Sequence, residues 1–138
     1  MSRRPDSPSP KSPKHSGLLH LFFALKHSVQ GIRATLRAES AFRQEVAVAA
    51  VAVPVAALLP VTAVEHVMLI VSVLLVLLVE LLNSAIEAAI DRISLDRHEL
   101  SGRAKDCGSA AVAIALLICV VTWGLLCGPL LIQWLSRH

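Results

Sequence analysis

VELLNSAIEAAIDR, residues 79–92, decides how the rest of the chain is read. At 100° per residue, Glu80, Asn83, Ser84, Glu87 and Asp91 fall at about 0°, 300°, 40°, 340° and 20° around a helix axis. The polar side chains therefore share one face, and Leu81, Leu82, Ile86, Ala88, Ala89 and Ile90 fill the remainder. The stretch is a single helix with a polar seam, not a loop. It closes an apolar run that opens at Val67, so its first acid lies near hydrocarbon. A charge at mid-bilayer costs on the order of 2.5–3.5 kcal/mol on insertion scales, so a row of acids marks chemistry, a proton path or helix pairing. Glu80 and Glu87 are separated by a rise of roughly 10 Å, so the seam can begin at head-group depth and continue into the cytosol.

Working outward, Val46 to Val64 carries no charge and holds Pro54 and Pro60, which membrane helices tolerate; it predicts a first span over residues 46–64. Glu65 and His66 read as a very short polar turn. A second span comes next over residues 67–90, and a third over 110–132, ending beside Trp134 as an interface anchor. Composition agrees, since 55% of the 138 residues are hydrophobic and only 4% aromatic, with mean hydropathy +0.67. Apolar runs of this length have nowhere to go in a water-soluble fold, and lipid is the expected solvent. Cys107, Cys119 and Cys127 are odd in number, and two sit inside an apolar run, so free thiols are expected.

Toward the N-terminus, Leu18, Phe22, Leu25, Val29, Ile32 and Leu36 recur at steps of four and three, opposite Lys26, Gln30, Arg33 and Arg37. This is the pattern of an amphipathic helix, over about residues 17–38, lying along a membrane surface or packed on a partner subunit. Residues 1–16 hold Pro5, Pro8, Pro10 and Pro13 among Ser, Lys and Arg and predict a disordered cytosolic tail. Ser7 and Ser9 are possible modification sites within it. No signal peptide is readable, and residues 17–138 are expected to form one domain.

Thirteen Lys and Arg against ten Asp and Glu give a formal charge of +3. The basic residues flank apolar spans and are not interleaved with aromatics, which excludes nucleic acid as the partner. Eight of them precede or include Arg43, and Arg92, Arg97, Arg103 and Lys105 come after the second span. The positive-inside rule puts the N-terminus and that second loop in the cytosol, and the Glu65–His66 turn and C-terminus outside.

The seam's chemistry points to a hard cation. Mg²⁺ takes one or two carboxylates plus substrate phosphates, and Glu39 or Glu45 of ESAFRQE, residues 39–45, can supply a further acid. Pairing with Arg37, Arg43 or Arg92, or a proton relay, are the competing uses of the same acids. The segment HELSGRAKDCGSAA, residues 98–111, reads as a loop ahead of the third span. Its backbone amides, Ser109 and Lys105 can meet phosphate at a helix start. There is no Walker A sequence and no kinase-type glycine loop. His98 and Cys107 lack the second ligand pair that zinc requires.

ESAFRQE, VELLNSAIEAAIDR and HELSGRAKDCGSAAV, in this order and spacing, resemble the integral-membrane diacylglycerol kinases of bacteria over roughly residues 31–126. The resemblance implies transfer of the ATP γ-phosphate to a lipid hydroxyl in the inner membrane. It implies an all-α homotrimer with three spans per protomer, a surface helix, and active sites shared between protomers. Glu80 would be the general base and Asn83 would help position it. Glu39 and Glu87 would hold Mg²⁺ against the nucleotide phosphates. His98, Lys105 and Asp106 would contact ATP, while Arg43, Glu45 and Ser109 would lie near the lipid. A sister branch phosphorylates undecaprenol, but the HELSGRAKD wording is nearer the diacylglycerol branch. The chain departs from the family pattern at His20 and His27, where an Arg and a Tyr are often found.

Overall fold

The computed structural model describes residues 17–94, 96 and 98–137; the tail expected over residues 1–16 lies outside them. All of the described secondary structure is helical: α1 (Gly17–Ala38), α2 (Ser40–Leu58), α3 (Ala63–Ile93) and α4 (Glu99–Leu135). The chain divides into two compact units, one ending at Gly31 and the other beginning at Ile32. In the first, Phe22, Leu25 and Val29 are exposed along α1, and the Phe22 and Phe23 rings meet edge to face at 6.0 Å.

In the second unit, α2, α3 and α4 are each long and apolar enough to cross a membrane. The hydropathy runs locate these spans, but the helices outrun them. At 1.5 Å per residue the 31 residues of α3 reach about 46 Å, and the 37 of α4 about 55 Å. A hydrocarbon core is only about 30 Å thick, so both helices project well beyond it. Three boundaries change accordingly. ESAFRQE, left outside the first span by its charges, is already helical from Ser40. HELSGRAKDCGSAA is not a loop, because α4 begins at Glu99. The turn after the first span falls before Glu65, since α2 ends at Leu58 and α3 starts at Ala63.

That last shift has a local cause. A residue before proline is pushed out of the helical region, and Leu59, preceding Pro60, is extended (φ −68°, ψ 144°). Glu65 then serves the start of α3. Its Oε2 accepts from the Thr62 backbone N–H and hydroxyl, both at 2.7 Å, while its own N–H donates to Thr62 Oγ1 at 3.4 Å. Pro54 and Pro129 sit inside α2 and α4, as membrane helices permit.

α3 is the middle element, packing on both α2 and α4. Its buried side chains are Leu69, Ser72, Val73, Val76 and Glu80; α2 contributes Phe42, Ala49 and Ala56, and α4 contributes Gly108 and Ala115. Small residues on the flanking helices let their backbones approach α3. Cys107, Cys119 and Cys127 are free thiols.

Candidate active site

The inward stripe of α3 runs Leu69, Val73, Val76, Glu80, Asn83, Glu87, at steps of four and three. The residues that pack the bundle and the residues that make the seam are thus one continuous face. Glu80 stands where the stripe changes character. It is 6% exposed, a burial that a carboxylate tolerates only with a partner or a task.

Other elements bring further acids to it. Glu39 lies between α1 and α2 in extended conformation (φ −105°, ψ 121°), at the N-cap of α2 but making no side-chain cap bond. Its charge acts on Glu80, as does that of Glu87, about two turns further along α3. Glu45, in the second turn of α2, also feels Glu80, and its Oε2 is buried without a hydrogen-bond partner. Four carboxylates from two stretches of sequence therefore share one electrostatic neighbourhood.

Among the described residues no arginine neutralises them. The ion pair that is formed joins Lys105 of α4 to Asp91 of α3, Nζ to Oδ1 at 2.6 Å, with both side chains substantially exposed. Arg43, expected near the lipid, meets backbone: its Nη1 donates to the carbonyls of Leu36 at 3.2 Å and Arg37 at 3.4 Å, capping the end of α1. The Asn83 amide, expected beside Glu80, donates through Nδ2 to Glu87 Oε1 at 3.3 Å. Its Oδ1 and the Ser84 hydroxyl are buried without partners.

Beyond the end of α3 a cleft of about 400 Å³ opens, lined by Asp91, Ser94, Asp96, His98, Glu99 and Lys105 among others. His98 is the N-cap of α4 and accepts the Leu100 N–H through Nδ1 at 3.2 Å. Asp106 and Ser109 lie exposed on α4 within about one turn of Lys105. Because α4 starts at Glu99, the amides near Ser109 are inside a helix, so the helix-start donors are those beside His98. A second hollow, about 330 Å³, lies between the three spans and is mostly apolar, with Glu45 and Gln44 at its polar part and Val73, Val76, Leu116 and Cys119 along its walls.

Among the described residues no three His, Cys, Asp or Glu side chains converge closely enough to enclose a metal. The donor set is nonetheless all carboxylate oxygen, which suits a hard cation that completes its shell with phosphate oxygens and water, and does not suit a soft one. Two contacts escaped the sequence reading. Asp91 was visible as part of the seam, but its pairing with Lys105 joins residues on separate helices. Gly108 was visible as a glycine, but its contact with Asn83 is a matter of how α3 and α4 pack.

A family model described as prokaryotic diacylglycerol kinase matches residues 26–127. Diacylglycerol kinase of Haemophilus influenzae is 50% identical over 111 residues, covering 80% of this chain and 94% of the relative. That of Pseudomonas aeruginosa is 49% identical over 117 residues, covering 85% and 94%. That of Escherichia coli K12 is 51% identical over 111 residues, covering 80% and 91%.

Proposed function

The chain belongs to the prokaryotic diacylglycerol kinase family, and from that premise we infer that it transfers the ATP γ-phosphate to the hydroxyl of diacylglycerol, giving phosphatidic acid. The observation that carries the reading to this chain's own residues is Glu80, a buried carboxylate at the point where an apolar stripe becomes a row of acids. A lipid alcohol held at head-group depth can meet a water-soluble phosphate donor there.

Each role comes from the chemistry of the group. Glu80 accepts the hydroxyl proton as the oxygen attacks phosphorus, which a carboxylate does through proximity. Glu39 and Glu87 are the residues that would hold Mg²⁺, with Asn83 steadying Glu87. When bound, the ion supplies charge neutralisation to the transferring phosphoryl group, the dominant need of this reaction. Lys105 exchanges Asp91 for nucleotide phosphate in the cleft it already lines, where His98 and the α4 N-terminus offer further contacts and Asp106 lies one residue on. The apolar hollow behind Glu45 accepts an acyl chain, while Arg43 and Ser109 flank the lipid's polar end.

The protein resides in the inner membrane, with α1 on the cytosolic surface, the N-terminus in the cytosol and the C-terminus outside. Three copies assemble, each completing its neighbour's site; the extensive exposed apolar surface of α4, including Leu117, Val120 and Leu125, supports burial against lipid or another copy. The test offers diacylglycerol and undecaprenol in parallel to purified protein with ATP and Mg²⁺. Phosphatidic acid is the expected product. Phosphorylation of undecaprenol alone, or no ATP consumption with either, would overturn the assignment.

A further inference from the structure

Gly108 is a place where α4 packs directly against the seam. It is buried, and a methyl group added there would run into the Asn83 Oδ1 and stand 3.3 Å from its Cγ. At Gly102, Gly124 and Gly128 of the same helix, a methyl would meet nothing within 4 Å. The orientation of the amide is dictated by chemistry. An ionised carboxylate only accepts, so the NH₂ of Asn83 faces Glu87, and its carbonyl oxygen is left against Gly108, buried and without a partner. With no hydrogen bond on that side, it is the fit against Gly108 that keeps the amide in place.

We propose that Gly108 is a positioning residue for Glu87: the room left by its missing side chain seats Asn83, and Asn83 Nδ2 holds the Glu87 carboxylate in the orientation a metal–nucleotide needs. The proposal rests on the kinase reading through the role of Glu87. It assigns Asn83 to the metal side of the site, not to the general base.

The experiment compares wild type, Gly108→Ala, Asn83→Ala, the double variant and Gly124→Ala in detergent micelles. Binding of Mn²⁺ with a non-hydrolysable ATP analogue is monitored by electron paramagnetic resonance, and turnover is measured separately. Gly108→Ala and Asn83→Ala are each expected to weaken Mn²⁺ binding roughly 10–100-fold, as loss of a group that orients a metal ligand does. The double variant should be no worse than Asn83→Ala alone, because both act through one contact. The KM for diacylglycerol should stay within about twofold, and Gly124→Ala should match wild type. Wild-type Mn²⁺ affinity in Gly108→Ala, or additive losses in the double variant, would overturn the proposal. If Gly108→Ala does not fold, the double variant, with the obstructing side chain gone, should; its failure also overturns the proposal. A wild type that turns over lipid while Gly108→Ala keeps its metal affinity defeats this inference alone, whereas a wild type that binds Mn²⁺ in the expected pattern but phosphorylates no lipid defeats the kinase reading alone. Wild type that holds no Mn²⁺ defeats both.

Discussion

The two halves of the α3 stripe share a geometry and differ in chemistry. Leu69, Val73 and Val76 are 0%, 6% and 5% exposed and close the bundle with dispersion contacts. Glu80, at 6%, is as buried as Val73, yet nothing about burying it favours the fold. Equal burial with opposite energetic sign separates residues that stabilise the fold from one that does not. α4 makes the same distinction from outside: it is the longest helix, yet only Gly108 and Ala115 are buried, so its apolar character reports its solvent more than its packing.

Substitutions that swap the two halves test this directly. Glu80→Gln should lower kcat by about 10²–10⁴-fold, the range for loss of a general base, with thermal unfolding in micelles unchanged or raised. Full activity in that variant would remove Glu80 from the reaction. Leu69→Ala should do the reverse, lowering stability by about 2–5 kcal/mol while leaving turnover per folded molecule near wild type, as read by unfolding and active-site-normalised rates. Lys105→Met breaks an exposed pair and should leave stability almost untouched; its signature is a KM for ATP raised on the order of tenfold, with that for diacylglycerol steady. Thr62→Ala, which removes the cap at the opposite end of α3, should cost about 1 kcal/mol and alter neither KM. A change in ATP affinity there would mean that the two ends of α3 are coupled.

How much of this is legible in the sequence depends on range. The membrane spans and the one-sided seam are local, and the run from Val67 and the angles of Glu80, Asn83, Glu87 and Asp91 contain them. The ends of helices are less legible because charge marks where hydrocarbon stops, whereas the helix goes on; Ser40 and Glu99 both start helices inside polar sequence. Pro60 carries the needed signal, since its ring crowds Leu59 out of the helical region, but its apolar surroundings argue for continuation. The Arg43 cap, the Asp91–Lys105 pair and the Asn83–Gly108 contact join residues from different elements, and no periodicity within one element encodes them.

The corner at Glu39 carries one more consequence. With Arg43 fastened to the carbonyls of Leu36 and Arg37, the bend is clamped from both sides, and the acid at its apex is located by counting residues more than by rotamer choice. One extra alanine after Ala38 would leave every side chain of the site chemically intact and yet turn Glu39 by about 100° about the axis of the helix that ends there. Evolution can therefore respell this stretch more easily than it can lengthen it.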